Sequence, residues 1–312
     1  MSGPGSTAIV VNYKTPRISA EAAQSAFDSG VSAVIVVDND PGGALVQVMR
    51  SRGADRATVL PSPSNIGFGS AANRGAREAA AGSCLIFLNS DAELRASAFQ
   101  RLLAEVSRSG MRAMAGPRLV EPGGTTQRSA GLLPSPVDLT VRALGLHSIG
   151  ERVARIPLVG GLVRRTRLAR EYSSAESATE TIDTNMVSGA CFAIGAEAFE
   201  ELGGFDERFF MYFEDADLCR RAAAAGMPIR YVPSAVVTHI GGASSEGDYH
   251  FSPMHARSMR QYLGKWYGPG GSAVALVLLW LRAVGMTLSL RGGAHRAWRA
   301  LWAAATDQDP RR

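Results

Sequence analysis

The feature that most constrains this fold is a regular alternation of short apolar runs and helix-like stretches over the first 120 residues. The apolar runs predict four strands, at 8–13, 32–39, 57–61 and 84–89. The stretches that follow them predict helices near 18–29, 42–52, 68–81 and 96–109. Continuous apolar strands separated by helices are typical of a parallel sheet covered on both faces. The sequence therefore predicts an α/β fold with a mostly parallel central sheet.

Polar residues close three of these predicted strands. They are Asn12 and Tyr13, Asp38 and Asn39, and the run Asn89, Ser90 and Asp91. In open α/β sheets, ligands bind beyond the carboxyl ends of the strands. We therefore expect these side chains to converge on one rim of the sheet and to form a binding site there.

The second half of the chain is less regular. From about 121 to 180 the periodicity fails and Gly, Pro, Ser and Arg dominate, which predicts an irregular loop. Order returns with a strand at 181–195 and a short helix at 196–202. A longer helix is predicted over 214–225, with Gly226 as its stop signal.

Positive charge is concentrated in two segments. Residues 151–170 carry six arginines and one glutamate, and residues 257–312 carry nine basic and two acidic residues. Because the whole chain has a net charge of +5, the remaining residues are acidic overall. This asymmetry indicates contact with an anionic surface such as phospholipid or a lipid pyrophosphate. Nucleic acid is the competing partner, but no nucleic-acid motif accompanies the charge, so we expect none to bind.

Length and cysteine content favour one main folded domain in a reducing compartment. A chain of 312 residues can form one large core with a C-terminal appendage. Its three cysteines, Cys84, Cys191 and Cys219, are far apart and show no paired metal-ligand spacing. The N-terminus lacks a basic segment followed by an apolar one, so we expect no cleaved signal and a cytoplasmic location.

The C-terminal region combines apolar and basic residues. Residues 266–281 carry no charge before Arg282 interrupts, which is fewer than the roughly 20 residues that a spanning helix needs. The stretches 283–290 and 294–304 follow, and the second of them carries Trp and Arg together, as interfacial helices do. We expect these helices to lie on the membrane surface; packing on the core and a true span are the alternatives.

A glycine-rich stretch, PSNIGFGSAANRGAREA, covers residues 63–79. Glycines at a loop-to-helix junction permit close approach of the backbone to a nucleotide, and a helix N-terminus favours phosphate. The alternative is a tight turn followed by a helix that packs closely on the sheet.

An acidic residue follows the last of the four strands, in CLIFLNSDAEL. If a nucleotide diphosphate binds at the glycine-rich stretch, its two phosphates need a divalent cation to neutralise their charge. Hard cations of this kind prefer carboxylate oxygens. This position makes Asp91 a candidate ligand for Mg or Mn.

Five segments, in order, resemble the family 2 inverting glycosyltransferases, which have the GT-A fold. They are VVNYKTP with VVDND, the glycine-rich stretch, CLIFLNSDAEL, SGACFAIGAEAFEELGGFDERFFMYFEDADLCRRAAAAG, and RYVPSAVVTHIGGASS. The resemblance covers about residues 7–242. Within the family, the chain is similar to bacterial rhamnosyltransferases that act on lipid-linked precursors of the cell wall or O-antigen.

The resemblance implies a role for each motif. Asp215 would be the general base, with Glu214 as its neighbour, and His239 would join Asp91 at the metal. The family often has Asp-x-Asp at the metal, whereas Asn89 stands first here, which puts a direct role of Asn89 in doubt. Donor-binding residues would be Asn12, Tyr13, Asp38, Asn39, Asn65, Gly67, Asn73, Asn89 and Ser90. Acceptor-side residues would be Ser188, Gly189, Asp217 and Arg220.

The resemblance also implies substrates and a domain plan. The donor would be dTDP-L-rhamnose, with UDP-sugars and GDP-mannose as alternatives. The acceptor would be a polyprenyl-diphosphate-linked saccharide, possible examples being N-acetylglucosaminyl lipids, and the enzyme would lie peripherally on the inner face of the plasma membrane. The catalytic domain would cover 1–250, with a nucleotide-binding half at 1–120, an acceptor-side loop at 121–180 and a catalytic half at 181–250, followed by basic helices at 251–312.

Two other classes of protein were weighed against the transferase. A dinucleotide-dependent oxidoreductase needs G-x-G-x-x-G after its first strand, and NYKTP stands there instead. A non-catalytic protein that binds sugar nucleotides would keep the glycine-rich loop but could lose its acids. Asp91, Asp215 and His239 are all present, which favours an enzyme.

Overall fold

The computed structural model describes residues 5–143, 178–241, 252–288 and 294–306. The basic segment 151–170 lies outside them. Two compact units are present. The sheet unit comprises Met1–Gly131, Ala175–Phe210 and Glu214–Glu246, and the tail unit comprises Leu132–Ser174, Met211–Phe213 and Gly247–Arg312. Of the predicted acceptor-side loop, the described residues 132–143 belong to the tail unit with the C-terminal helices. The predicted domain roles stay predictions.

The described residues form helices in both units. Those of the sheet unit are α1 (Pro16–Asp28), α2 (Leu45–Ser51), α3 (Phe68–Arg77), α4 (Ala96–Arg108), α6 (Ala196–Glu201) and α7 (Glu214–Ala224). Those of the tail unit are α5 (Pro136–Ala143), α8 (Pro253–Leu288) and α9 (Ala294–Thr306).

The described strands all belong to the sheet unit. They are β1 (Ser6–Asn12), β2 (Ala33–Asp38), β3 (Thr58–Pro61), β4 (Cys84–Asn89), β5 (Ala92–Glu93), β6 (Met114–Val120), β7 (Thr126–Gln127), β8 (Ala130–Gly131), β9 (Ile182–Asp183), β10 (Met186–Val187), β11 (Cys191–Gly195) and β12 (Ile229–His239).

The main sheet has the order β3-β2-β1-β4-β11-β6-β12-β5, with β7 paired to β6 and β9 paired to β12. Strands β3, β2, β1 and β4 are parallel, and β6 is parallel to β12. Strand β11 runs antiparallel between β4 and β6. The predicted α/β fold with a mostly parallel central sheet and a C-terminal helical extension is confirmed.

Helices cover both faces of the sheet, which explains why its strands are apolar throughout. On one face, alternate strand residues such as Val10 and Val36 pack with α1, α2 and α4 in the main core. On the other, Ile35 and Val37 pack with Ala71 of α3. Because both sets of alternating side chains are buried, the strands contain continuous apolar runs.

Close packing of α3 requires a glycine. A Cβ atom at Gly75 would lie 2.8 Å from Ile9 Cγ2 and 3.2 Å from Val37 Cγ2. Since real Cβ contacts are longer, only glycine lets the helix approach the sheet at this distance. The closely packed helix that was the alternative interpretation of the glycine-rich stretch is therefore present, and donor binding by this stretch stays a prediction.

Two regions differ from their predictions. The strand predicted at 181–195 is divided into β9, β10 and β11, which pair with different partners. The loop predicted at 121–180 begins with β7 and β8 and continues into α5, while its residues 144–177 lie outside the described part of the chain. Short strands of two residues carry too little hydrophobic periodicity for a sequence to predict them.

The tail unit is built on α8. This helix has a non-helical residue, Gly268, with φ of 67°, followed by Pro269, so two helical segments meet there. Among the described residues, α8 is one helix that is long and apolar enough to cross a membrane by length and composition. The helix α8, Pro253–Leu288, is therefore longer than the uncharged run at 266–281, from which the sequence predicted too short a helix to span a membrane. Helix α9 packs against α8.

Candidate active site

The carboxyl ends of β1, β2 and β4 bring three predicted donor residues to one rim. In the parallel register, Asn12 lies opposite Asp38, and Val11 lies opposite Asn89. The Asn12 Nδ2 donates to Asp38 Oδ1 over 2.8 Å, and Asn12 Oδ1 accepts from Ser19 Oγ over 2.8 Å. Asn12 is buried and thus orients Asp38, which is itself 5% exposed.

A second set of amides shapes the loop that precedes α3. Asn39 Nδ2 donates to Asn65 Oδ1 over 2.8 Å, and its Oδ1 accepts from the backbone N–H of Ile66 over 3.0 Å. Asn65 Oδ1 also accepts from Gly67 N–H. These bonds tie the loop to the end of β2, so Asn39 and Asn65 position the loop backbone beside the rim.

The sequence analysis predicted that Asn73 and Gly67 bind the donor. In the structure, both residues contact segment 205–210. The amide of Asn73 is buried; it accepts from Phe205 N–H over 2.8 Å and donates to Phe205 C=O over 2.9 Å. A Cβ atom at Gly67 would lie 2.4 Å from the carbonyl oxygen of Phe210. These contacts hold segment 205–210 against α3, and donor binding by Asn73 and Gly67 stays a prediction.

Segment 205–210 is also anchored by an aromatic cluster. Phe205 packs edge-on against Phe87 at a centroid distance of 5.1 Å and against Phe199 at 5.4 Å. Phe87 and Phe192 stack at 4.8 Å. Phe205, the first phenylalanine of the motif GGFDERFF, therefore belongs to the core. It fixes the chain that leads towards α7.

Tyr13 and Ser90 lie at the ends of neighbouring strands. Tyr13 is half-buried, and the Nζ atom of Lys14 lies 5.3 Å from its ring centroid. Ser90 is buried and accepts from Thr15 Oγ1 over 3.5 Å. Both positions remain predicted donor contacts.

The predicted metal ligands face each other. Pairing of β12 with β5 places His239 opposite Ala92, and the N–H of Ile240 donates to the carbonyl oxygen of Asp91 over 3.0 Å. His239 Nε2 lies 3.3 Å from Asp91 Oδ1 and 3.4 Å from Asn89 Nδ2. The Asp91 side chain is 8% exposed and that of His239 is 14% exposed.

A carboxylate oxygen opposite an imidazole nitrogen is a donor set that fits Mg or Mn. Within the described residues, no group of three or more His, Cys, Asp or Glu side chains could hold a metal. Among the described residues, Asp91 and His239 are therefore two candidate ligands of a larger coordination shell.

Sequence reasoning missed Gln127, which contacts His239. Its Nε2 donates to the carbonyl oxygen of His239 over 3.1 Å, and its Oε1 lies 2.7 Å from His239 Nδ1. Gln127 stands in a region that the sequence predicted as an irregular loop, 112 residues before the histidine. Only the pairing of β7 with β6 brings it there, so no sequence signal identifies it.

Asp215 is held at the start of α7 by two backbone donors. Gly189 N–H donates to its Oδ2 over 2.9 Å, and Ala216 N–H donates to its Oδ1 over 2.8 Å. A Cβ atom at Gly189 would lie 3.1 Å from Asp215 Cβ, so glycine is what permits this approach. Burial raises the pKa of Asp215, although the backbone hydrogen bonds oppose the rise. Its proton affinity is therefore higher than that of a solvated carboxylate.

Glu214 is the buried neighbour of Asp215. Burial and the adjacent Asp215 charge raise the pKa of Glu214 to about 8. Its Oε2 atom is buried and has no hydrogen-bond partner among the described residues. The charged form of Glu214 is therefore disfavoured at neutral pH, and Asp215, whose carboxylate accepts from two backbone N–H groups, is the candidate base.

The predicted acceptor-side residues divide into two groups. Ser188 Oγ accepts from Ala190 N–H over 3.2 Å, next to the Gly189 contact with Asp215. Asp217 is fully buried and forms an ion pair with Arg221 over 2.8 Å, one turn along α7. This ion pair stabilises α7, and Asp217 and the half-buried Arg220 both remain predicted acceptor-side residues.

Comparison with known proteins identifies the relatives of the chain. The model of "Glycosyltransferase like family 2" matches residues 4–263. An N-acetylglucosaminyl-diphospho-decaprenol L-rhamnosyltransferase of Mycobacterium tuberculosis is 31% identical over 191 residues, which is 58% of each chain. Rhamnosyltransferase WbbL of Escherichia coli is 27% identical over 106 residues, covering 33% of this chain and 38% of that protein. The chain thus spans 58% of the length of the mycobacterial relative.

Solved structures share the fold. A crystal structure of GalNAc-T7 with UDP, GalNAc and Mn2+ aligns with a TM-score of 0.58 and 16% identity, covering 86% of this chain and 49% of that one. Staphylococcus aureus TarS aligns with a TM-score of 0.54 and 12% identity, covering 94% and 47%. Because the family model matches most of the chain and the sheet has the GT-A arrangement, this chain belongs to glycosyltransferase family 2.

Proposed function

We propose that this chain is an inverting glycosyltransferase that moves L-rhamnose from dTDP-L-rhamnose onto a polyprenyl-diphosphate-linked N-acetylglucosaminyl acceptor. The observation that carries the proposal is the half-buried Asp215 carboxylate, which Gly189 and Ala216 hold on a family 2 fold. The rhamnosyltransferase names of two relatives support rhamnose as the sugar. UDP-sugars and GDP-mannose are the alternative donors.

Asp215 acts as the base in this mechanism. It takes the proton of the acceptor hydroxyl as the hydroxyl oxygen attacks the anomeric carbon of the donor. The bond from that carbon to the nucleoside diphosphate breaks on the opposite face, so the configuration inverts. One base suffices for such a transfer, since no covalent sugar intermediate forms. The raised pKa of Asp215 increases its affinity for the transferred proton.

Asp91 and His239 would hold a divalent metal beside the diphosphate of the donor. Such a metal neutralises negative charge on the leaving diphosphate. The likeness to a GT-A structure crystallised with UDP and Mn2+ supports this assignment, and the choice between Mg and Mn stays open.

Asp38 would bind the nucleoside part of the donor. The two hydrogen bonds that described residues donate to its side chain, from Asn12 Nδ2 and from Asp40 N–H, end on Oδ1. Oδ2 is therefore the oxygen that we expect to accept from a base N–H or a ribose hydroxyl. Tyr13, at the end of β1, would flank the nucleobase.

The tail unit supports a lipid-linked acceptor. Helices α8 and α9 line an apolar groove of about 480 Å³ with Leu276, Val277, Trp280, Trp298, Leu301, Trp302 and Ala305. Trp280 is 49% exposed and Trp302 is 64% exposed, while Arg296 and Arg299 lie on α9. Exposed tryptophans beside arginines suit the boundary between acyl chains and anionic headgroups.

We therefore place the enzyme on the inner face of the plasma membrane, where α8 and α9 lie at the surface. Arg282 stands inside α8, and α9 is only 13 residues long, which favours surface binding over a span. The membrane would present the acceptor to the enzyme, so the groove and its arginines would serve the same substrate as Asp215.

A scan of donors tests the proposal. The purified chain is heated with dTDP-rhamnose, UDP-sugars or GDP-mannose, in Mg, Mn or EDTA, and its melting temperature is recorded. A ligand that binds only the folded state raises this temperature by mass action. We expect dTDP-rhamnose to do so only with metal, and Asp91→Ala to abolish the rise. Stabilisation by another nucleotide sugar would replace the proposed donor.

A turnover assay separates the transferase from a non-catalytic binding protein. Radiolabelled sugar from the stabilising donor is supplied together with membrane lipids that contain polyprenyl-diphosphate N-acetylglucosamine. Transfer to the lipid fraction supports the enzyme. Donor binding without transfer, together with an unchanged result for Asp215→Asn, favours the scaffold.

A further inference from the structure

The amide of Gln127 has its orientation fixed by the backbone. Its Nε2 lies 3.1 Å from the carbonyl oxygen of His239, and its Oε1 lies 2.7 Å from His239 Nδ1. A carbonyl oxygen can only accept, so the amide end beside it must be the NH₂ group. The amide oxygen must therefore be the end that faces the imidazole ring.

This orientation determines which imidazole nitrogen carries the proton. An amide oxygen can only accept, so His239 Nδ1 must donate to Gln127 Oε1. In the neutral ring, Nε2 then has no proton and presents its lone pair. The amide of Asn89 lies 3.4 Å from Nε2 and can donate to that lone pair.

The lone pair of Nε2 also faces Asp91 Oδ1, which lies 3.3 Å away. Two electron-rich atoms at this distance repel each other unless a cation lies between or beside them. Both atoms are the ligand types that a divalent metal takes from a histidine and an aspartate. Gln127 thus prepares His239 to bind metal before metal is present.

We propose that Gln127 is a positioning residue that locks His239 in the tautomer with the proton on Nδ1, so that Nε2 is available to the metal. The inference rests on the proposed metal-dependent transferase. Gln127 touches no substrate and acts only through the imidazole of His239. Groups of this kind around metal ligands commonly change metal affinity about 10- to 100-fold.

The tautomer can be measured directly. Long-range ¹H–¹⁵N correlation spectra of the ¹⁵N-histidine-labelled full chain report which nitrogen of each ring is protonated. The chain has five histidines, and loss of one set of signals in His239→Ala assigns His239. We expect the proton on Nδ1 in the wild type without metal, and on Nε2 in Gln127→Met, which keeps side-chain length but removes both polar contacts.

Metal affinity gives the second readout. Free Mn²⁺ is titrated by electron paramagnetic resonance against the chain with saturating dTDP, and separately with UDP. We expect Gln127→Met to weaken Mn²⁺ binding about 10- to 100-fold. Gln127→Glu keeps an acceptor for Nδ1–H, so it should retain the tautomer and bind Mn²⁺ more tightly than Gln127→Met. Gln47→Met, at an exposed glutamine of α2, is the matched control and should change neither readout.

Several outcomes would overturn the proposal. They are a wild-type proton on Nε2, protonation of both nitrogens, or a Gln127→Met variant whose tautomer and Mn²⁺ affinity match the wild type. If Gln127→Met does not fold, the wild-type spectrum decides, because a proton on Nε2 or on both nitrogens refutes the proposal and a proton on Nδ1 alone supports it. Absence of Mn²⁺ binding to the wild type with either nucleotide refutes the metal-dependent function, whereas the spectra still decide the tautomer by themselves.

Discussion

Asp215 is the residue on which catalysis depends in the proposed mechanism. Asp215→Asn keeps the size of the side chain and one oxygen that can accept from either Gly189 N–H or Ala216 N–H, but it can no longer take a proton. We expect kcat to fall by about two to four orders of magnitude. Donor affinity should change little, because Asp215 holds the acceptor hydroxyl and not the nucleotide. Initial rates and a donor titration by calorimetry measure the two quantities.

The control for this variant is Asp55→Asn, which alters an exposed aspartate. It should leave kcat and donor affinity unchanged. An Asp215→Asn enzyme with a kcat within threefold of the wild type would exclude Asp215 as the base and direct attention to Glu214.

Glu214 makes the stability of the fold depend on pH. Its pKa rises from 4.5 to about 8 on folding, so between these values the folded chain keeps a proton that the unfolded chain releases. Its contribution to the free energy of unfolding therefore falls as pH rises through this window and levels off above it. Glu214→Gln removes this loss. We expect the variant to gain about 1 to 3 kcal/mol relative to the wild type between pH 5 and pH 9.

Urea denaturation across this pH range measures the effect. Glu121→Gln, at an exposed glutamate, should show no such trend relative to the wild type. A difference between Glu214→Gln and the wild type that stays constant with pH would show that Glu214 has an ordinary pKa in the folded chain.

At the scale of elements, the seating of α3 on the sheet depends on Gly75. In Gly75→Ala, the new methyl group would overlap Ile9 Cγ2, so helix and strand must separate. Overpacking of this kind costs about 1 to 3 kcal/mol. Gly285→Ala is the matched control, since that helical glycine in α8 has open space around it and alanine favours helix. Thermal unfolding should give a lower melting temperature for Gly75→Ala and an equal or higher one for Gly285→Ala. Equal decreases in melting temperature for both variants would contradict the packing argument.

The elements that the sequence predicted well are those whose packing is periodic. Strands β1, β2 and β4 are buried on both faces, so each appears as an unbroken apolar run. Helix α7 was predicted because Gly226, with φ of 69°, ends it in a conformation that glycine favours. The division of the strand predicted at 181–195 into β9, β10 and β11 was not predicted, since a strand of two residues cannot establish a period.

The same difference between periodic and non-periodic positions applies to the prediction of the site residues. Asp38 and Asp91 were predicted as site residues because they close predicted strands, and parallel strands bring their ends to one rim. The roles of Gln127 and Asn73 were not found. Their partners lie 112 and 132 residues away, and neither residue belongs to a periodic pattern that the sequence could show. Contacts across such separations become visible only when the strands are paired.

At the scale of the whole molecule, charge and apolar surface are unevenly distributed along the chain. The 56 residues from 257 to 312 carry nine of the 33 basic residues, whereas only two of the 28 acidic residues lie there. Three of the four tryptophans line the groove between α8 and α9. The same part of the chain therefore offers two attractions to an anionic lipid bilayer, one electrostatic and one hydrophobic.

These two attractions can be separated by vesicle binding of the full chain. We expect binding to vesicles with anionic lipid and little binding to neutral ones, and we expect added salt to weaken it. The double variant Trp280→Ser, Trp302→Ser should lower the partition coefficient about tenfold for each tryptophan. Burial of each tryptophan side chain in the bilayer contributes about 1.5 kcal/mol or more to the free energy of binding. Val46→Ser, at a 43% exposed valine of α2 outside the groove, should leave the partition coefficient unchanged.

Because a surface-bound protein leaves membranes at alkaline pH, carbonate extraction of cell membranes should release the wild type. Retention of both the wild type and the double variant would instead indicate that α8 spans the bilayer, since a span does not depend on the two exposed tryptophans.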